Sequence, residues 1–152
     1  MKTLLLLCLL LPFAGRAQPT PAPPAGQESP TVFKRANLLV IHTPDSAKVA
    51  LRKVAGLLQA RGFSIDRLDY DLLSVSTKPK PFANSSQHTM QVLGVAEGGT
   101  VRLSATWHGQ MGSISVDEPA AFTNAASKRA FAELEETGKA YPGASVGYRL
   151  RP

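Results

Sequence analysis

Met90-Gln-Val-Leu-Gly-Val-Ala-Glu97-Gly98-Gly99-Thr100-Val-Arg-Leu-Ser-Ala-Thr-Trp107 is the stretch from which the fold is read. Met90, Val92 and Gly94 alternate with other residues before the glycine pair, and Val101, Leu103, Ala105 and Trp107 alternate after it. Period-two patterning places such residues on one face of a strand, and two adjacent glycines supply the positive φ of a tight turn. The stretch is therefore expected to be a β-hairpin.

Upstream, Leu38 to Ile41 form a continuous apolar run inside Asn37–Thr43, as a largely buried strand requires. Thr43-Pro44-Asp45-Ser46 then predicts a helix start, with Thr43, Asp45 or Ser46 as N-cap. Ala47, Ala50, Leu51, Val54, Leu57 and Leu58 recur at helical spacing, and Gly62 is placed to end the helix. Phe63, Ile65 and Arg67 alternate into a polar turn at Asp69-Tyr70-Asp71, and Leu73, Val75 and Thr77 give a further strand. Residues 79–88, with Pro79 and Pro81, read as an exposed loop.

Downstream, Ile114 and Val116 extend the sheet. From Asn124 to Tyr141, Ser127, Phe131, Leu134, Gly138 and Tyr141 share one helical face. Val146, Tyr148 and Leu150 alternate as a last edge strand. The expectation is an α+β domain: a curved antiparallel sheet with two helices on one face, in the order β-α-β-β-β-β-α with a possible final β.

The Leu38–Ile41 run, the helix ending at Arg61-Gly62-Phe63 and the Asp71-Leu72-Leu73-Ser74-Val75-Ser76-Thr77 strand together resemble the TATA-box-binding-protein-like or helix-grip class of small α+β modules of exported bacterial proteins. The likeness spans most of residues 37–141. It implies a fold and an interaction role, and it transfers no functional residue.

The 152-residue chain is 43% hydrophobic and 18% charged, which suits one small domain. Its first 17 residues set Lys2 before the apolar run Leu4 to Leu11 and end on Gly15 and Ala17, the pattern of a signal peptide. An alternative is lipidation at Cys8. Cleavage after Ala17 would remove Lys2 and Arg16 from a formal net charge of +6, together with the single cysteine. The mature chain is then expected to be extracytoplasmic, periplasmic or secreted, without disulfides or thiolate chemistry. Residues 18–30 carry five prolines and read as a disordered leader, with a Pro-rich ligand for a partner's groove as the sharper alternative. Residues 31–152 form the expected domain.

No Gly-x-Ser-x-Gly, His-Glu-x-x-His, Ser-x-x-Lys, phosphate-loop or dinucleotide motif occurs, so no catalytic residue and no cofactor is assigned. His42, His88 and His108 have no metal-ligand spacing, and no metal site is assigned. Asp66, Asp69 and Asp71 lack the remaining ligands of a Ca²⁺ loop, and Asn84-Ser85-Ser86 fits a glycosylation acceptor only formally.

Two ligand- or partner-binding candidates remain. Trp107-His108-Gly109-Gln110-Met111-Gly112 joins an aromatic face, a titratable ring and an amide between glycines; Trp107, His108 and Gln110 are its binding candidates, against a bland reading as a hairpin end with Trp107 in the core. Lys48, Arg52 and Lys53 give the first helix a positive face, which suits a polyanion or simply solvent. The leading reading is a non-catalytic domain binding an envelope protein or a small ligand. Alternatives are a small hydrolase or metal-dependent enzyme centred on His108, and polyanion binding by the first helix. Nucleic acid is disfavoured as the partner of an exported chain, no later segment is apolar enough to span a bilayer, and oligomeric state is left open.

Overall fold

The computed structural model describes residues 23–24, 26–82, 85–111, 114–121 and 125–151. Residues 1–17 lie outside these, as do 18–22 and 25 of the leader, Asn84 and Gly112.

The chain runs through β1 (Glu28–Ser29), β2 (Leu38–His42), α1 (Ala47–Ala60), β3 (Ile65–Asp69), β4 (Ser74–Thr77), β5 (Lys80–Phe82), β6 (Ser85–Glu97), β7 (Thr100–Met111), β8 (Ile114–Pro119), α2 (Ala125–Lys139) and β9 (Ser145–Arg149). The strands form one antiparallel sheet in the order β1-β9-β2-β7-β6-β4-β3, with β5 paired to β6 and β8 to β7. The architecture is α+β with two helices, as the patterning predicted, and β1, β5 and β8 are added to the strand order.

The β6–β7 hairpin holds the sheet together. Glu97 faces Thr100 across a two-residue turn, with φ of +44° at Gly98 and +79° at Gly99, the sign a type I′ turn demands at both positions. Met90, Val92, Ala96, Val101, Leu103, Ala105 and Trp107 all lie buried on one face. Leu39 and Ile41 of β2 join them, and both are fully buried.

Both helices cover this inner face, α1 over β3, β4, β6 and β7, and α2 over β2, β7 and β9. Helix α1 buries Ala50, Leu51, Val54, Ala55 and Leu58. It ends in a Schellman arrangement: the Gly62 amide donates to Gln59 and the Phe63 amide to Leu58, with φ +81° at Gly62. Helix α2 buries Phe131 and Leu134, and the Tyr148 hydroxyl of β9 donates to Glu135 at 2.7 Å. Arg61 at the end of α1 ties the helices together through Glu133 and Glu136.

Four expectations change. Within the loop expected over 79–88, residues 80–82 are instead β5 and 85–88 begin β6: Pro81 pairs with Thr89 in a strand bonded only to β6, where a missing N–H costs no ladder bond on the outer side. Arg67 is not on the inward face of β3. A register shift between Ile65 and Arg67 moves the inward phase to Leu68, which packs against the core, while the Arg67 side chain is 68% exposed. The leader is not disordered throughout, because Glu28 and Ser29 pair with Arg149 and Tyr148. That pairing, with β2 on its other side, makes β9 an interior strand and not the edge expected.

Candidate functional site

The expected Trp107–Gly112 binding loop is a strand as far as Met111, with β7 paired to β8 along that length and to β6 as far as Gly109. Trp107 belongs to the core at 5% exposure, and its indole N–H donates to Ser127 Oγ of α2 at 2.8 Å. Its ring lies against Gly109, where an added Cβ would fall 2.2 Å from Cζ3, and 5.6 Å from the His88 ring. His108 points to the other face, opposite Thr89 on β6 and Asp117 on β8 by backbone register. Gln110 is paired with Ser115, its side chain outside the described residues. Alternation along β7 thus puts Trp107 and His108 on opposite faces of the sheet, and they build no common site.

The cations of α1 are partly spoken for. Lys53 bonds Asp45 at 2.6 Å and lies 5.6 Å from the centre of the Tyr141 ring. That bond raises the Lys53 pKa and, with the Tyr141 hydroxyl at 2.5 Å, holds the Asp45 carboxyl below the usual carboxylate range. Arg52 sits 5.9 Å from the centre of the Tyr70 ring. Lys48 remains exposed. Outside the helix, Lys80 donates to the Arg61 carbonyl and lies over Phe63, so it too serves the fold. Lys48, Arg52 and Lys53 share a helix surface and do not converge on a cavity.

The acidic turn caps itself. Asp69 accepts from the amides of Asp71 and Leu72, and these bonds with Arg67 lower its pKa. Among the described residues, no three of His, Cys, Asp and Glu are grouped so as to hold a metal ion, and no helix is long and apolar enough to cross a membrane.

The concavity lies elsewhere, on the sheet face that the helices leave open. A pocket of about 330 Å³ opens there, lined by Leu38, Leu93, Val95 and Leu150 together with the guanidinium-bearing Arg102, Arg149 and Arg151. A second depression of about 240 Å³ shares Leu93, Ser104 and Arg151 with it and continues toward Gln91 and Ser76. The residues come from β2, β6, β7 and the end of β9, brought side by side by the sheet order. Leu93 is 43% exposed, an apolar side chain in a position where an antiparallel sheet with one wet face would place a polar one.

The leader supplies the remaining side. Gly26 lines the pocket, and two residues later the Glu28 carboxylate bridges His42 Nε2 at 2.5 Å and Arg149 at 3.0 Å. It does so across Gly147, where a Cβ would fall 1.9 Å from Glu28 Oε1; only a glycine leaves room for that seat. Arg102 is held at the hairpin end by Glu97. No ion pair engages Arg151 among the described residues, although its amide donates to Asn37 Oδ1 at 2.6 Å. Among the described residues the pocket lining contains no acidic side chain.

Sequence reasoning had not assigned these residues. A signal was present: in Val92-Leu93-Gly94-Val95-Ala96 both phases of the alternation are apolar, so β6 has no purely polar face. No protein-family model matches the chain, and no curated protein matches it.

Proposed function

We propose that the protein is an exported, non-catalytic binding domain whose helix-free sheet face is its recognition surface. The observation that carries the reading is the 330 Å³ pocket, with aliphatic side chains and three arginines in its lining, on the face of the sheet opposite the two helices and beside the leader. Ligand sites combine this kind of apolar lining with a few placed polar groups. Residues 1–17 support export by their charge, apolar run and small residues, and the Pro-rich residues 18–24 suit a spacer leading to the leader strand.

The test is recovery of the occupant from the native host. Full-length tagged protein and a Leu93→Glu variant are purified from intact cells after crosslinking, and attached species are identified by mass spectrometry. Leu93 is already exposed, so the variant is expected to fold. A species carried by the wild type and lost from Leu93→Glu supports the reading. The same species on both proteins, or none on either, overturns it.

A further inference from the structure

Resting on that reading, we infer that the pocket takes a single-chain anionic amphiphile: a carboxylate or phosphate head on a short aliphatic body.

The charge argument comes first. Arg102, Arg149 and Arg151 reach one cavity, and among the described residues no carboxylate side chain lines it. Glu28 and Glu97 engage two of these guanidiniums, each through a single carboxylate oxygen. A guanidinium has five donors in a planar fork, so N–H groups are left over, and a carboxylate or phosphate is the partner whose geometry matches them. The Arg102–Glu97 pair is solvent-exposed and worth little, so an incoming anion can share or displace it at small cost.

The apolar argument sets the rest of the molecule. Leu38, Leu93, Val95 and Leu150 offer aliphatic surface and, among the described residues, no aromatic ring lines the pocket, which favours an alkyl chain over a stacked planar ligand. At about 330 Å³ the space is at the low end for small-molecule sites, enough for a short chain and its head. Gly26, just before the leader strand, walls one side of the pocket.

The experiment titrates decanoate, decyl phosphate, decanol and acetate into isotopically labelled protein lacking residues 1–17, following the amide shifts of Leu38, Leu93, Val95 and Leu150. Decanoate or decyl phosphate should saturate these shifts; decanol and acetate, each missing one half of the amphiphile, should bind at least tenfold more weakly. Arg102→Ala and Arg151→Ala should each weaken binding about tenfold, the loss of one charge-assisted contact. Of the two head groups, the tighter binder identifies the head. Decanol binding as tightly as decanoate, unchanged affinity in both arginine variants, or binding only to anionic vesicles would overturn the inference. If decanoate and decyl phosphate fail while the native-host species is still lost from Leu93→Glu, the ligand class falls and the recognition surface stands; if Leu93→Glu also loses nothing, both fall.

Discussion

Replacing glycine by alanine should have opposite effects on the two helices. Gly56 in α1 faces solvent and an added Cβ there meets nothing within 4 Å. Gly138 in α2 is buried, and its Cβ would fall 2.6 Å from Leu39 Cδ2 and 3.5 Å from both Ile41 and Val146. Alanine gains about 0.8–1 kcal/mol over glycine inside a helix, because it restricts the unfolded chain and shields the backbone. Gly56→Ala should therefore be more stable than wild type by about 0.5–1 kcal/mol, a rise of roughly 1–4 °C in Tm. At Gly138 the same gain opposes the cost of overpacking, about 1–3 kcal/mol, since Leu39 is fully buried and has nowhere to retreat. Gly138→Ala should be neutral to about 2 kcal/mol destabilised. Urea unfolding of the three proteins under one condition, with unchanged m values, reads the difference directly. Equal stabilisation by both substitutions would mean that α2 does not seat Gly138 on Leu39, and the placement of that helix on β2 would be refuted.

The remaining predictions bear on single contacts. Ser127→Ala leaves the buried Trp107 indole N–H without its acceptor and should cost about 1–3 kcal/mol, with a shift in tryptophan fluorescence; an unchanged urea midpoint would show that the bond is not maintained. Gly147→Ala should evict the Glu28 carboxylate and speed hydrogen exchange of the β1 amides, while core amides at Leu39 and Leu103 keep their protection; uniform protection across all four sites would oppose the clip. Acid should destabilise the fold through Asp45, Asp69 and Glu135. Lys53 and the Leu72 amide lead in lowering the first two, and in Glu135 burial pushes upward but the bonds from Lys139 and Tyr148 outweigh it. All three have folded pKa values below their unfolded ones, so their contribution is present above about pH 4–5 and is lost as the pH falls further. A urea midpoint that stays level or rises between about pH 5 and pH 3 would contradict this sign.

What the sequence made legible was what local period and turn chemistry encode. The Gly98-Gly99 turn, the alternation from Met90 to Trp107 and the stripes of α1 and α2 each lie within a score of residues, and each is where it was expected. Legibility failed where a local signal was overruled by a partner strand. Pro79 and Pro81 read as a loop, yet an edge strand tolerates proline. A bulge inside Ile65–Asp69 changed the phase of the alternation, so Leu68 took the place expected for Arg67. Gly109 and Gly112 made the end of β7 look like a loop, although the Trp107 ring covers Gly109 within a regular ladder.

The face carrying the pocket was hidden for a different reason. Its floor joins Leu38, Leu93 and Leu150, and its rim joins Arg102 to Arg149 and Arg151, residues distant in sequence that meet only because β9 returns to lie beside β2 and β2 lies beside β7. No window of sequence contains that neighbourhood. The same topology gives the pocket a wall of different strength from its floor. The floor is carried by β2, β6 and β7, whose other faces are locked into the buried core, whereas the leader side rests on a two-residue strand and on Glu28 reaching over Gly147. Partly exposed ion pairs of this kind contribute only about a kcal/mol. Opening of β1 is therefore less costly than opening of the sheet, and it would release Gly26 from the pocket while β2, β6 and β7 stay paired. Arg102 and Arg149, held by Glu97 and Glu28, start in place before any ligand arrives, which lowers the ordering cost of binding for two of the three guanidiniums.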